Sequence, residues 1–392
     1  MTQLAGLRQA FDLHPEAIYL NAASEGPLPR AAAEAMRAAL DRKTHPFRLG
    51  GEDYFQIPQR ARERCARLVG CRAEEIVLTH STGDGINLAV GGFPWSPGDE
   101  ALFLKGDFPA LVNPFLHART RGLAPVEITP AGKFPALEDF ARAATPRTRI
   151  LALSHVSALH GFRHDLAAYG RFCRERGIFF VVDAAQSAGV IPLRFEEDGI
   201  DLLAAPGHKW LLGLPGTGFA AIRSEVIERM NPPAVGWMGL LSNAAQFVAM
   251  PPFDLALFQG GRKFEVGTTP YPQLAAMIAC LDMLLENDVE LVQAHVAALL
   301  EPLWEYLQSS PYKLLSSPEA SHRSGILAFT GRFAAKIYLL LNERKIFPGL
   351  RAGALRISPH LYNTPEDIAR LIASLKELET VKLEADRKGE NL

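Results

Sequence analysis

The sequence is poor in cysteine and contains no long apolar run. Its four cysteines, among 392 residues, form no CxxC pair and have no metal-ligand spacing, so we expect reduced thiols and neither a disulfide scaffold nor a structural zinc site. No apolar stretch approaches the roughly 20 residues that span a bilayer, and the first residues, MTQLAGLRQAFDLHPE, lack the apolar block of a secretory signal. These absences predict a cytoplasmic protein with no membrane segment.

The sequence also lacks an excess of charge of either sign. Lys and Arg number 41 against 43 Asp and Glu, for a formal net charge of -2. Because a protein that grips a polyanion needs a basic surface, we expect no nucleic-acid partner. With 48% hydrophobic and 21% charged residues, the chain has the composition of a folded globular protein. Its length predicts two domains, with three as the alternative.

Short apolar runs recur through the first part of the chain. Several are apolar at every position, which is typical of strands buried on both faces of a parallel sheet. The runs are Glu75–Leu78, Ala101–Leu104, Ile150–Leu153, Ile178–Val182, Leu202–Ala204 and Gly218–Ile222. Helix-like segments such as Asp165–Arg176 lie between them at crossover length. The pattern predicts an α/β fold whose large domain, residues 15–255, holds a doubly wound, mostly parallel sheet.

The pattern changes after Asn231, where loops rich in Pro and Gly begin. They are followed by helical patterns over Tyr271–Leu285 and Val289–Ser309, a strand-like run at Gly325–Phe329 and a terminal helix from Pro365. We interpret residues 256–392, together with residues 1–14, as a smaller α+β domain.

Two charged residues stand where an α/β sheet binds ligands. Asp183 ends a fully apolar run and is therefore expected at the carboxyl end of a strand; Lys209 follows one crossover later, after PGH. A partly desolvated lysine can form a Schiff base, and a carboxylate can keep a pyridine nitrogen protonated, which is what pyridoxal phosphate (PLP) requires. Taken alone, the pair has ordinary alternatives: the aspartate caps a helix and the lysine covers apolar surface.

A third segment has the composition of a phosphate cradle. THSTGDGIN, at Thr79–Asn87, follows a strand-like run and opens a helical pattern, so its backbone N–H groups and the Thr82 hydroxyl could bind an anion. An ordinary helix cap with turn glycines is the alternative. GLPGTGF, at Gly213–Phe219, is a poor dinucleotide fingerprint because a strand-like run follows it where a helix should. A dinucleotide-dependent oxidoreductase is therefore disfavoured.

These residues and several further motifs resemble the class V aminotransferases. This family of fold type I PLP enzymes includes cysteine desulfurases, selenocysteine lyases, kynureninases and isopenicillin N epimerases. The matches run in order along nearly the whole chain: YLNAASEGPLP (Tyr19–Pro29), THSTGDGIN, SHVSALHG (Ser154–Gly161), VVDAAQ (Val181–Gln186), GHKW (Gly207–Trp210), FEVGTTP (Phe264–Pro270) and LRISPHLYNT (Leu355–Thr364). The resemblance implies a fold type I PLP-dependent transferase that acts as a homodimer on an amino acid, a small-molecule substrate.

The resemblance also implies how the cofactor's ring would be held. Lys209 matches the Schiff-base lysine, Asp183 the partner of the pyridine nitrogen, and Gln186 a hydrogen-bond donor to the ring oxygen. Phe108, in GDFPA, stands where many relatives place a residue that stacks on the pyridine face. A phenylalanine of the core is the alternative for that position.

For the cofactor's phosphate, the resemblance implies contacts with Thr82, the backbone at Gly83, and His208. Thr268 would reach the phosphate of the neighbouring subunit's cofactor in a homodimer.

The substrate residues implied by the resemblance lie near both ends of the chain. Arg356 matches the arginine that grips the substrate carboxylate, a task suited to a planar guanidinium. Arg351 is expected at the same entrance, and Asn21 belongs to the first matching motif. A surface salt bridge is the alternative for Arg356.

The histidines of the matching motifs receive no role in this prediction. His155 and His160 are expected to be structural rather than metal ligands, and His360 and Asn363 lie in the last motif without an assigned task.

The sequence departs from the cysteine desulfurases at three places. Their nucleophilic cysteine precedes the carboxylate-binding arginine, whereas FPGLRAGALR (Phe347–Arg356) contains none. Ala158 replaces a substrate-binding asparagine, and Pro206 a phosphate-binding serine. Persulfide-forming desulfuration is therefore disfavoured, while lyases that need no such thiol stay open.

The resulting prediction is a PLP enzyme that acts at the α-carbon of an amino acid, with Lys209 as general acid and base. Transamination is ranked first, carbon–sulfur or carbon–selenium lyase chemistry second and epimerisation third. A regulatory protein that keeps the fold without turnover is the alternative of a different class.

Overall fold

The computed structural model describes residue 4 and residues 6–241 and 256–388. In chain order its strands are β1 (Ile18–Leu20), β2 (Ile76–Thr79), β3 (Glu100–Leu104), β4 (Ala124–Ile128), β5 (Thr148–Ser154), β6 (Phe179–Asp183), β7 (Leu202–Pro206), β8 (Gly218–Ile222), β9 (Lys313–Leu314), β10 (Leu327–Thr330), β11 (Ile346–Arg351) and β12 (Ala354–Ile357).

The helices connect and cover these strands. They are α1 (Arg30–Thr44), α2 (Ile57–Val69), α3 (Thr82–Gly92), α4 (Pro109–Ala118), α5 (Leu137–Ala143), α6 (Leu166–Arg176), α7 (Ser224–Arg229), α8 (Tyr271–Glu286), α9 (Val289–Ser309), α10 (Ala334–Glu343) and α11 (Pro365–Lys388). None of these described helices is both long and apolar enough to cross a membrane.

The larger of the two sheets described has the strand order β2-β8-β7-β6-β5-β3-β4. All neighbouring pairs from β7 to β4 are parallel, and β8 runs antiparallel to both β2 and β7. The predicted fold class, a doubly wound and mostly parallel sheet, is confirmed. Because β2 and β7 share one direction, their carboxyl ends lie at the same edge as that of β6.

Burial on both faces explains why these strands are apolar throughout. Along β5, Leu151 and Leu153 pack into one hydrophobic cluster, while Ile150 and Ala152 pack into a second. Successive side chains of a strand point to opposite faces, so each face needs its own apolar residues. The predicted strands agree with the structure to within one or two residues. Strand β4 was not predicted, since Pro125 and Glu127 interrupt its apolar run.

The smaller sheet has the order β1-β11-β12-β10-β9, with β1 parallel to β11 and the other pairs antiparallel. Strand β1 comes from the start of the chain, and its Ile18 pairs with Ile346. The N-terminal segment therefore joins a sheet built mainly from C-terminal residues. The predicted domain boundary at residue 255 lies outside the described residues and stays a prediction.

Candidate active site

Asp183 lies at the edge where the parallel strands end. It is the last residue of β6 and 3% exposed, and its Oδ1 accepts a hydrogen bond of 2.8 Å from the Ala185 N–H. Its other carboxylate oxygen accepts none from the described residues. Burial raises the pKa of Asp183 to about 6, an effect that the Ala185 N–H and the charge of Lys209 oppose. Within the described ranges, the carboxylate is thus buried without a cation in contact.

Lys209 lies beside Asp183, three residues beyond the end of the neighbouring strand β7. Burial lowers the pKa of the half-buried amine; Asp183 raises it, and Arg356 lowers it further. Its Nζ is 5.2 Å from the ring centroid of Phe108, whose side chain is 45% exposed. Phe108 is therefore not a core residue, and its ring faces the lysine.

The segment that carries Lys209 packs closely against the N-terminal part of the chain. The Gly26 N–H donates to the His208 carbonyl oxygen at 2.7 Å. A Cβ atom at Gly26 would stand 2.2 Å from the Lys209 carbonyl oxygen, so only glycine permits this approach. The contact brings Asn21 and Ser24 to the same edge as the lysine.

Gln186 and His360 hold the tryptophan that follows Lys209. Trp210 Nε1 donates to Gln186 Oε1 at 2.8 Å, and Gln186 Nε2 donates to the Ala23 carbonyl oxygen at 3.0 Å. His360 Nε2 lies 3.0 Å from the Trp210 carbonyl oxygen. The Gln186 amide is expected to donate to a cofactor's ring oxygen. One of its two N–H groups instead donates to the Ala23 carbonyl oxygen. The predicted contact stays a prediction.

The hydrogen bonds of His360 fix its tautomer. Its Nδ1 accepts from the Leu361 N–H at 2.7 Å, and Nε2 must carry the proton because a carbonyl oxygen only accepts. The ring is fully buried, which lowers its pKa to about 4. Next to it, Asn363 Oδ1 accepts from the His360 N–H at 3.0 Å. Sequence reasoning found the motif but missed this role, since the partner Trp210 lies 150 residues away.

The proposed phosphate cradle begins helix α3. The Ser81 side chain caps the helix by accepting from the Asp84 N–H at 3.2 Å, and Thr82 is its first residue. A Cβ at Gly85 would stand 2.6 Å from the Ala204 Cβ, so this glycine lets α3 pack directly on β7. The close packing brings the N-terminus of α3, with Thr82 and Gly83, to the edge that carries Lys209.

His208 and Thr268 differ in their surroundings. His208 is half-buried, and burial together with the charge of Lys209 lowers the pKa of its imidazole. Thr268 is exposed and lines a surface groove that also contains His80 and Asp84 at the start of α3. Its predicted contact with a neighbouring subunit stays a prediction.

Arg356 is a buried cation without an anionic partner in the described part of the chain. It is 2% exposed; Nη1 donates to the Ala158 carbonyl oxygen at 2.8 Å and Nη2 to Ser24 Oγ at 2.6 Å. Its Nε has no hydrogen-bond partner, and no carboxylate lies within 4.0 Å, among the described residues. Burial and the charge of Arg351 lower the pKa of Arg356 to about 10. The arrangement fits a carboxylate that arrives with a ligand.

Asn21 and Ser24 support this guanidinium. Ser24 Oγ donates to Asn21 Oδ1 at 2.8 Å, and Arg356 Nη2 lies 3.4 Å from the same oxygen. Arg351, which is exposed, donates from Nη2 to Ser24 Oγ at 2.9 Å. The structure thus brings together Arg356, Arg351 and Asn21, and it adds Ser24, which sequence reasoning missed although it lies in the first motif.

The two histidines of SHVSALHG have lowered pKa values. His155 and His160 are buried and half-buried, and burial lowers their pKa values to about 3 and 4. No group of three or more potential ligands is close enough to hold a metal ion in the part of the chain that the structure describes.

The described cysteines offer no reactive thiol. Cys65, Cys173 and Cys280 are buried and Cys71 is half-buried, and burial raises the pKa of each. A nucleophilic cysteine needs the opposite shift, toward the thiolate.

Comparisons with known proteins find a matching family and several similar proteins. The family model for class V aminotransferases matches residues 18–371. An uncharacterized aminotransferase, YcbU, from Bacillus subtilis is 27% identical over 80% of this chain and 81% of its own. The isopenicillin N epimerase of Streptomyces clavuligerus is 28% identical over 93% of this chain and 96% of its own.

Two solved structures of C-DES, a cystine C–S lyase, have a similar fold. A mutant with glycine covalently linked to the PLP cofactor has a TM-score of 0.86 at 25% identity, covering 94% of this chain and 98% of C-DES. The complex with the product cysteine persulfide has a TM-score of 0.84 at 25% identity, covering 95% and 99% of the two chains.

Proposed function

Because this chain belongs to the class V aminotransferase family, we propose that it is a fold type I PLP enzyme that acts at the α-carbon of an amino acid. Amino-group transfer is the reaction that we rank first. One observation carries the proposal: three charged groups meet at one sheet edge. They are a buried carboxylate without a cation in contact, an amine of lowered pKa, and a buried guanidinium without a carboxylate in contact, as far as the described residues go.

The residues of this edge fit PLP. Asp183 is a buried carboxylate with a free oxygen, and a protonated pyridine nitrogen would supply the cation that it lacks. Lys209 would hold the cofactor through its amine, and Thr82, Gly83 and His208 would hold the phosphate. Phe108 offers an exposed ring beside the lysine for stacking.

The chain's own residues would bind the substrate and move its proton. When bound, PLP withdraws electrons from the α-carbon of the amino acid and so weakens its C–H bond. Arg356 would hold the α-carboxylate and fix the α-carbon relative to Lys209. Burial favours the neutral amine of Lys209, which can then take a proton from the α-carbon and return it.

A carbon–sulfur lyase without a catalytic thiol is the second candidate. It is favoured by the similarity to C-DES and by the burial of the described cysteines. Amino-acid epimerisation ranks third and is supported by the similarity to isopenicillin N epimerase.

We further propose that the enzyme is a homodimer in which Thr268 contacts the cofactor of the neighbouring subunit. The exposure of Thr268 supports this arrangement, since the residue is accessible to a second protomer.

The test is to reduce the protein with borohydride in the presence of PLP and to locate the adduct by peptide mapping. We expect one adduct, on Lys209, and Lys209→Ala should lose it and lower turnover by about 10³-fold or more. Lys105→Ala removes an exposed lysine from another part of the same sheet edge and is the matched control. This variant should keep both the adduct on Lys209 and the turnover. No adduct, or adducts scattered over surface lysines, would favour the regulatory alternative.

A panel of amino acids then separates the reactions. Conversion that requires a keto acid supports transfer, release of pyruvate without an acceptor supports elimination, and loss of optical rotation alone supports epimerisation. Transfer is the expected result.

A further inference from the structure

The two arginines near Lys209 stand on one tight hairpin. Strands β11 and β12 pair Arg351 with Ala354, and the two residues between them, Ala352 and Gly353, have φ angles of 47° and 77°. Positive φ at both central residues is typical of the short turns that join antiparallel strands. Ala352 adopts it without being glycine, at a cost in backbone strain. The hairpin therefore fixes where Arg351 leaves the sheet.

Both guanidinium groups are oriented by one hydroxyl. Ser24 Oγ accepts from Arg356 Nη2 at 2.6 Å and from Arg351 Nη2 at 2.9 Å. Arg351 Nη1 also donates to the Leu350 carbonyl oxygen at 2.9 Å, so two of its nitrogen atoms are held. The side chain of an exposed arginine is usually mobile. The side chain of Arg351 is instead held by these two hydrogen bonds, and through Ser24 it lies near the guanidinium of Arg356.

Neither of the two guanidinium groups has a carboxylate partner among the described residues, although Asp183 and Glu25 act on the nearby Lys209 and raise its pKa. Arg351 and Arg356 both lower the pKa of Lys209, so their charges act on the same site. Within residues 6–241 and 256–388, no carboxylate lies within 4.0 Å of either guanidinium. The α-carboxylate of an amino acid would pair with the buried Arg356 and leave Arg351 unpaired.

We propose that Arg351 and Arg356 form a two-arginine subsite, and that the substrate is an amino acid whose side chain carries a second acidic group, bound by Arg351. The inference rests on the proposed function, which supplies Arg356 with the α-carboxylate. It adds the chemical class of the side chain. Neutral and basic amino acids would leave Arg351 without its anion, and basic side chains would be repelled by it.

Dicarboxylates without an amino group test this subsite directly. The full-length protein, after incubation with PLP, is titrated calorimetrically with succinate, glutarate and adipate, and with butyrate, pentanoate and hexanoate as monoacids of matched length. We expect at least one dicarboxylate to bind about tenfold more tightly than its matched monoacid. The preference should weaken as salt is added, because Arg351 is exposed.

Variants assign the preference to Arg351. Arg351→Gln should bring the dicarboxylate down to the affinity of the monoacid, while Arg351→Lys, which keeps the charge but loses the planar fork, should retain part of it. Arg171→Gln, which changes an exposed arginine on α6, is the matched control and should keep the full preference. Equal affinity for both acids, or a preference that survives Arg351→Gln, would overturn the proposal.

The outcome is independent of the test of the proposed function. A Lys209 adduct without a dicarboxylate preference would overturn the subsite alone. A preference that depends on Arg351, in a protein without the adduct, would support the subsite and count against the enzyme.

Discussion

The molecule contains two arrangements of buried charge that differ in how the charges are paired. In the first, which lies beside the groove that contains Thr268, Arg62 and Glu265 are 4% and 2% exposed, and Arg62 Nη2 lies 2.5 Å from Glu265 Oε2. A second contact joins Arg62 Nε to Glu265 Oε1 at 3.2 Å, and this oxygen also accepts from the Leu78 N–H. At the active site, by contrast, the buried charges touch no opposite charge among the described residues.

We interpret the paired charges as contributions to folding and the unpaired charges of the active site as groups that bind a ligand. A buried ion pair with several hydrogen bonds offsets much of the cost of desolvation, whereas an unpaired buried charge shifts its pKa instead. Asp183, Lys209 and Arg356 all show such shifts, each caused mainly by burial. We therefore expect the protein without its ligands to keep or gain stability when one of these charges is removed, and to lose stability when the Arg62–Glu265 pair is broken.

The largest effect on stability is expected from breaking the paired arrangement. Glu265→Gln keeps an amide oxygen that can accept from the Leu78 N–H, but it leaves the charge of Arg62 buried alone. We expect the free energy of unfolding to fall by about 3 to 5 kcal/mol, measured by urea denaturation.

Two controls bracket this result. The double variant Arg62→Met with Glu265→Gln should recover much of the loss, because no buried charge is left unpaired. Arg356→Gln, in the protein without PLP, should change stability far less, since the lost hydrogen bonds are balanced by removal of an unpaired charge. An equal loss in Glu265→Gln and Arg356→Gln would contradict the distinction between the two arrangements.

An intermediate effect, of opposite sign, is expected at Asp183. Its pKa is about 6 in the folded protein against an ordinary value of 3.8, so the folded state binds the proton more tightly and loses stability as pH rises between these values. Asp183→Asn stays neutral. In the protein without PLP, the variant should therefore be more stable by about 3 kcal/mol above pH 7 and equal to the native protein below pH 4.

Urea denaturation across that pH range measures this difference. PLP should stabilise the native protein more than the Asp183→Asn variant, because only the carboxylate can pair with a protonated pyridine nitrogen. A gap between the two proteins that does not change with pH would show that Asp183 does not titrate as described.

The sequence predicted those features that depend on local pattern. Gly218–Ile222 was recognised as a strand because it is apolar on both faces, and Asp183 and Lys209 were placed at one edge because their strands are consecutive and parallel. Strand β4 was missed because Pro125 and Glu127 hide its pattern. The hairpin of β11 and β12 was missed because its turn contains Ala352, an unusual residue for a positive φ.

The sequence could not reveal contacts between distant segments. Ser24 binds Arg351 and Arg356, which lie more than 300 positions away in the sequence. The residues around Ser24 form no local pattern that predicts these contacts. The amide of Gln186 was assigned to the cofactor by resemblance, and its bonds to Ala23 and Trp210 follow only from the packing of the folded chain.

The smallest effect is expected at His360. Both nitrogen atoms of its ring are hydrogen-bonded, and one of these bonds holds the segment that carries Lys209. His360→Phe removes the donor to the Trp210 carbonyl oxygen and the acceptor of the Leu361 N–H, which should cost about 2 kcal/mol of stability. Since Trp210 follows Lys209, we also expect kcat to fall by roughly tenfold with KM little changed. His360→Gln can offer both a donor and an acceptor and should restore part of each.

The pH dependence of stability distinguishes His360 from a residue that merely fills space. Its pKa of about 4 lies below the ordinary 6.5, so the unfolded state binds the proton more tightly and the stability that the neutral ring contributes is lost as pH falls from 6.5 toward 4. His360→Gln does not titrate and should lose less stability over this range. If kcat fell equally in the Phe and Gln variants, or the acid dependence were unchanged, the ring would not be holding the segment that carries Lys209.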